Sequence, residues 1–180
     1  DVRIAIVGVN ELRNSFFNIN KYNISEFRKE FYKLYPGNWK YKVSDLGDIP
    51  NGDSVEDTYF VLKEVCQFLR QINIIPILIG GSHDLTYPIY KSFENSNQWV
   101  NITSIDNMFD FSQHEKLISG RSYMSSVIME KPSNLNSFSN LGYQSYLISQ
   151  EELDLMDRLF FESVRSVSYT HLRAHETSRN

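Results

Sequence analysis

Short apolar runs alternate along the chain with longer segments in which apolar side chains recur every three or four positions. The runs predict strands covered on both faces, and the segments predict amphipathic helices. We therefore expect strands at residues 2–9, 41–48, 74–79, 99–105 and 142–148. Helices are expected at residues 24–35, 54–72, 86–95 and 150–164.

This alternation predicts βαβ units, and hence an α/β fold with a parallel sheet and helices on both faces. Ligands of such sheets bind beyond the carboxyl ends of the strands. The side chains that directly follow each apolar run are therefore the first candidates for a functional site.

Composition narrows the class of protein. The 180 residues are 41% hydrophobic and 22% charged, as in ordinary globular domains, and the formal net charge is −4. Lys and Arg are scattered, so we expect no nucleic-acid or membrane partner, and small molecules are the expected ligands.

No apolar run approaches the length of a membrane span and no signal peptide opens the chain, which favours a cytoplasmic location. The single cysteine, Cys66, is predicted to be a buried thiol without a disulfide partner in the chain.

Both ends are expected to be artificial. The chain starts at Asp1 without a methionine, directly before a predicted strand. Residues 166–180 lose the apolar periodicity and resemble the translation of a cloning or sequencing adapter, so we interpret them as a non-native tail. We exclude His171 and His175, four positions apart, as a metal site because no core-facing stripe surrounds them. Residues 1–165 are then the folded part.

The candidate metal-ligating side chains follow two of the predicted strands. The segments are Gly-Gly-Ser-His-Asp at residues 80–84 and Asp-Asn-Met-Phe-Asp at residues 106–110. The glycines allow a sharp turn that presents His83 to the crevice. One imidazole with the carboxylates of Asp106 and Asp110 is a reasonable ligand set for Mn²⁺, Fe²⁺ or Zn²⁺. Taken singly, a histidine after two glycines is more often a hydrogen-bonded turn residue, and an aspartate at a strand end more often caps a helix.

These two segments resemble the Gly-Gly-Asp-His-Ser and Asp-x-His-x-Asp motifs of the arginase, agmatinase and formimidoylglutamase family, the ureohydrolases. The resemblance spans roughly residues 2–165 and is nearest to formimidoylglutamase-like members. It implies a three-layer α/β/α sandwich, truncated here, and two Mn²⁺ ions that share a bridging hydroxide, which attacks an amidine carbon. It places His83, Asp106 and Asp110 among the metal ligands, with Asp110 also as a catalytic residue.

The chain departs from the family pattern at several positions. Met108 stands where the second motif has its middle histidine, and a thioether is a poor ligand for Mn²⁺. Ser82 replaces the usual aspartate of the first motif. By the resemblance Arg121 and Tyr123 lie in the substrate loop, where Arg121 could pair with a substrate carboxylate and Tyr123 stands at the position of a histidine in arginases. An exposed loop arginine and a packed aromatic side chain are the alternatives for these two residues.

The resemblance thus implies a metal-dependent hydrolase of linear amidine C–N bonds that acts on an amidine or guanidino amino acid. The resemblance implies six ligands for the two ions, and this chain supplies only three of them. We therefore expect at most one weakly bound ion and no hydrolase activity in this chain. A homo-oligomer is one expected state of a full-length form. A degenerate, non-catalytic homologue used for binding or scaffolding is the alternative function. A phosphate-binding turn at Gly80 and Gly81 is a weaker alternative, because no G-x-G-x-x-G or Walker pattern surrounds them.

Overall fold

The computed structural model describes residues 2–16, 23–112 and 118–168. Its six strands are β1 (Val2–Val9), β2 (Lys42–Ile49), β3 (Ile75–Ile79), β4 (Val100–Ile105), β5 (Leu135–Tyr143) and β6 (Glu162–Arg165). Its helices are α1 (Ile24–Phe31), α2 (Val55–Gln71), α3 (Thr86–Lys91), α4 (Tyr123–Met129) and α5 (Gln150–Arg158), and a short 3₁₀ helix (His83–Leu85) precedes α3. Within these described segments, every helix is too short or too polar to cross a membrane.

The strands form two three-stranded sheets, with the orders β2-β1-β3 and β4-β5-β6. All of their pairings are parallel, as the alternation of strands and helices predicts. The expectation that successive strands share one sheet is wrong at one point, since β3 and β4 each form the edge of a different sheet. Apolar side chains at these two edges, Ile75, Ile77 and Ile105, are exposed.

The first sheet is covered by α2, which begins with a capping box. The Ser54 hydroxyl accepts a hydrogen bond from the Asp57 amide, and the Asp57 carboxylate accepts one from the Ser54 amide. From there, α2 buries one side chain every three or four positions, namely Thr58, Leu62, Cys66 and Leu69. These side chains pack on Ala5, Val7 and Val9 of β1. Cys66 is buried and free, as predicted, and burial raises the pKa of its thiol to about 11.

The second sheet has an aromatic core around Phe138 of β5. Phe138 is fully buried, and its ring lies 5.8 Å from those of both Phe111 and Phe161. The predicted strand at residues 142–148 is wrong, because β5 ends at Tyr143 and a turn follows it. Most of β5 consists of serine, asparagine and glycine, so apolar pattern does not reveal it even though it is the central strand.

The remaining departures concern helix ends. The predicted helix at 150–164 stops at Arg158, where Phe160 adopts a left-handed φ of 56° and a new strand, β6, begins at Glu162. Helix α1 ends at Phe31 instead of residue 35. The apolar spacing did not reveal α4 at all, since it is a short helix of seven residues.

Candidate metal centre

A tight turn after β3 presents His83. Both glycines of the turn have positive φ, 98° at Gly80 and 75° at Gly81, a conformation that side chains disfavour. A Cβ atom on Gly81 would also collide with Leu85 Cδ1. The 3₁₀ helix that follows is anchored by Asp84, whose buried carboxylate accepts hydrogen bonds from the Ser82 and Tyr59 hydroxyls.

The loop after β4 presents the two carboxylates. It is held to the end of β5, because the Asp106 amide donates to Leu141 O at 3.1 Å and the Asn140 side-chain amide donates to Met108 O at 2.9 Å. The Met108 amide donates to Asp106 Oδ1 at 3.3 Å, which forms a local turn. Asp110 has a left-handed φ of 57°. The backbone thereby places Asp106 and Asp110 on the same side of the loop.

The three side chains meet at the carboxyl ends of the sheets. His83 Nδ1 lies 3.1 Å from Asp106 Oδ2 and 3.2 Å from Asp110 Oδ2. One ligand atom from each residue lies within 4.8 Å of the others. Asp110 is buried and Asp106 is half-buried, whereas 60% of the His83 side chain is exposed. The predicted trio is therefore one cluster that opens to solvent on the imidazole side.

The charges of this cluster are coupled. Hydrogen bonds to Asp106 and Asp110 raise the pKa of His83 to about 10. Burial raises the pKa of Asp106, but the hydrogen bond and charge of His83 and the backbone amides of Met108 and Asn107 together outweigh burial, so the pKa is lowered. For the more deeply buried Asp110, burial prevails over the same hydrogen bond and its pKa is raised. In the absence of a metal ion, a protonated imidazole thus neutralises part of the acidic charge.

The donor set fits one divalent ion. An imidazole nitrogen and two carboxylate oxygens suit Mn²⁺ or Zn²⁺, and their mutual distances leave room for a single ion between them. A second ion would lie about 3.5 to 4 Å from the first and would need further ligands of its own. Met108 stands between the two carboxylates in sequence, and its sulfur lies 2.7 Å from Arg121 Nη2. The described residues thus do not fit a two-ion centre.

Arg121 and Tyr123 take different positions beside the cluster. Arg121 lines the same cavity of about 230 Å³ as His83, Asp106 and Asp110. The Tyr123 ring is buried in the core of the second sheet and lies edge-on to His83, with 6.4 Å between ring centroids. Burial raises the pKa of the Tyr123 hydroxyl far above its ordinary value. Tyr123 therefore has the placement of a packing residue for the imidazole.

Sequence reasoning missed two residues of the loop after β1. The Phe16 ring lies 4.1 Å from the Arg121 guanidinium carbon and lines the same cavity. Glu11 is fully buried, accepts hydrogen bonds from Arg13 and Thr58, and its carbonyl accepts from the Ser82 amide at 3.2 Å. No periodic pattern marks this loop, so only the contacts between distant segments could identify either residue.

Comparison with known proteins identifies the family of this chain. The model of the Arginase family matches residues 7–179. The chain belongs to the arginase family. The resemblance read from the motifs is thereby confirmed, and the parallel α/β architecture is confirmed as well. The match extends into residues 166–180, and our interpretation of that segment as a tail stays a prediction, since residues 169–180, with His171 and His175, lie outside the described part.

Individual proteins resemble this chain in sequence or in fold. An agmatinase from Pyrococcus horikoshii is 40% identical over 55 residues, covering 29% of this chain and 19% of the relative. A crystal structure of Trypanosoma cruzi formiminoglutamase with Mn²⁺ shares 15% identity at a TM-score of 0.79, covering 92% of this chain and 61% of that chain. Formimidoylglutamase from Bacillus subtilis shares 13% identity at a TM-score of 0.79, covering 99% and 60%. The present chain therefore spans about 60% of the length of these two solved structures.

Proposed function

We propose that the chain is part of a metal-dependent hydrolase that cleaves C–N bonds of linear amidines, of the formimidoylglutamase type. The observation that carries the proposal is the convergence of His83, Asp106 and Asp110 at one point, although their strands belong to different sheets. The substrate class is a small amidine or guanidino amino acid, in keeping with the agmatinase and formimidoylglutamase names of the relatives.

The three residues have distinct roles in this proposal. Asp106 and Asp110 supply negative charge to a divalent ion such as Mn²⁺, and the buried Asp110 is also the proposed catalytic residue. His83 completes the set only as the neutral imidazole, so it must release its proton when the ion binds. A bound ion would supply Lewis-acid activation of water and of the amidine.

We further propose that this 180-residue chain binds at most one ion, weakly, and has no hydrolase activity by itself. Three ligand atoms are brought together in the described residues, and Met108 is unsuited to be a fourth. The same observations favour the alternative function, a non-catalytic relative used for binding or scaffolding. Buried Tyr123 and the Met108 sulfur replace residues that the resemblance assigns to the chemistry.

The test combines metal binding with turnover. Calorimetric titration with Mn²⁺ is expected to give one site in the parent chain, and Asp110→Asn should abolish it. Asp157→Asn, a change at an exposed carboxylate of α5, is the matched control and should leave binding intact. Two tight ions per chain would contradict the proposal. Release of ammonia, formamide or urea from N-formimidoyl and guanidino amino acids by the complete protein would favour the hydrolase over the scaffold.

A further inference from the structure

Arg121 contacts two side chains beside the candidate metal centre, Met108 and Phe16. Its Nη2 atom lies 2.7 Å from the Met108 sulfur, and its guanidinium carbon lies 4.1 Å from the centroid of the Phe16 ring. A guanidinium over an aromatic face is held by a cation–π attraction. Arg121 thus has a fixed position, between an aromatic ring and the side chain that stands midway between Asp106 and Asp110 in sequence.

The backbone around Arg121 fixes the same position. The Ser112 amide donates to Arg121 O at 3.0 Å, so the arginine is tied to the segment that directly follows Asp110. The neighbouring Gly120 amide donates to Asn14 O at 3.0 Å, which ties it to the loop that carries Phe16. The backbone at Arg121 is thus held from two sides, beside the cavity that the arginine lines.

The charge of Arg121 affects how many divalent ions the centre can hold. A neutral His83 with two carboxylates carries a charge of −2, which a single divalent ion neutralises. The guanidinium of Arg121 adds a positive charge beside this set. A second divalent ion on the Met108 side would meet this charge without a ligand able to offset it.

We propose that Arg121, held on Met108 and Phe16, takes the place of a second divalent ion, so that the centre is built for one ion and one fixed guanidinium. This inference rests on the proposed metal-binding function. It differs from a two-ion centre in that a guanidinium supplies the second positive charge. Two consequences follow. The guanidinium weakens the binding of the single ion by repulsion, and it prevents a second ion from binding even when a better ligand replaces Met108.

The first test measures the affinity of the full 180-residue chain for Mn²⁺ alone, by calorimetry at low ionic strength. Arg121→Gln removes the charge and should bind one Mn²⁺ about tenfold more tightly. The difference should shrink as salt is added, because salt screens exposed charges. Arg121→Lys keeps a charge and should bind like the parent chain. Arg158→Gln on α5 serves as the control, since Arg158 lines an adjoining cavity together with Arg121 but is absent from the cavity of the cluster.

The second test counts the ions. Met108→His supplies an imidazole at the position where the family motif has one, and electron paramagnetic resonance of Mn²⁺ distinguishes an isolated ion from a coupled pair. We expect one isolated ion in the parent chain and in Met108→His. A coupled pair in either protein would overturn the inference, and so would equal affinities of the parent chain and Arg121→Gln. If the parent chain and Asp110→Asn both fail to bind Mn²⁺, the proposed function falls together with the inference. A single ion that is insensitive to Arg121 overturns the inference alone.

Discussion

His83 Nδ1 lies 3.1 Å from Asp106 Oδ2, and this contact joins residues that follow the edge strands of two separate sheets. Strands β3 and β4 do not pair with each other, so their loops alone create the cluster. The loop after β1 is hydrogen-bonded to the segments that follow β3 and β4, because Glu11 O accepts from the Ser82 amide and Asn14 O accepts from the Gly120 amide. The candidate centre therefore depends on loop geometry more than on a continuous sheet.

We predict that Mn²⁺ binding strengthens as pH rises. Hydrogen bonds to Asp106 and Asp110 raise the pKa of His83 to about 10, so the imidazole is protonated at neutral pH and must lose its proton to bind a metal. Between pH 6.5 and 8.5, the apparent association constant should rise about tenfold per pH unit. Calorimetry in buffers of different ionisation enthalpy should show release of about one proton per ion at pH 7.5.

An affinity that is flat across this range would contradict that prediction, because it would mean that His83 is already neutral or is not a ligand. Asp157→Asn is a suitable control for the titration, since it removes an exposed carboxylate of α5 that has no part in the cluster. Its affinity for Mn²⁺ and its dependence on pH should match those of the parent chain.

Much of the first sheet was predictable from sequence, because β1 and β3 are apolar runs and α2 carries a regular buried stripe with a capping box. Strand β5 was not, since its Ser, Asn and Gly residues owe their strand conformation to pairing with β4 and β6. The motifs supplied His83, Asp106 and Asp110. The contacts of Phe16 and Arg121 depend on loops that are distant in sequence, and no local pattern encodes such contacts.

A second prediction concerns the turn before His83. Gly81→Ala should destabilise the fold by about 2 to 3 kcal/mol, because the alanine would have a left-handed φ and its Cβ would collide with Leu85 Cδ1. Gly47→Ala is the matched control, since Gly47 has a φ of 83° and an alanine Cβ at that position would have no neighbouring atom within 4 Å. It should cost only the backbone strain, about 1 kcal/mol.

Thermal and urea unfolding of the two alanine variants would measure this difference. The Gly81 variant should also bind Mn²⁺ more weakly than the Gly47 variant, because only the turn at Gly81 leads directly into His83. Equal losses of stability, or equal Mn²⁺ affinities, would show that the turn does not determine the position of the imidazole.

A third prediction concerns acid stability. Hydrogen bonding and charge from Arg28 lower the pKa of Asp45 to about 2, from an ordinary value of 3.8. Because the folded pKa is the lower one, the ion pair contributes stability above about pH 4, and this contribution is lost as pH falls towards 2. Asp45→Asn should therefore cost about 1 to 2 kcal/mol at pH 7, after allowance for solvent screening, and close to nothing at pH 2.

Urea unfolding of the parent chain and of Asp45→Asn at pH 7, 4 and 2 would test this. Asp48 is not a suitable control, because its carboxylate lies 2.7 Å from the same Arg28 guanidinium. Asp157, an exposed carboxylate on α5, is the control instead. A constant difference between the parent chain and Asp45→Asn across this pH range would contradict the assignment of the effect to the Asp45 carboxylate.

The last prediction tests β5 as the centre of the second core. Phe138 is fully buried and packs between the rings of Phe111 and Phe161, so Phe138→Ala should cost about 3 to 5 kcal/mol through lost burial and a cavity. Phe160→Ala removes a ring that is 92% exposed after α5 and should change stability by less than about 0.5 kcal/mol. Urea unfolding of both variants measures the contrast. Had β5 begun at residue 142, as the apolar pattern suggested, Phe138 would precede the strand and its loss would be mild, so a small effect at Phe138 would contradict the observed register.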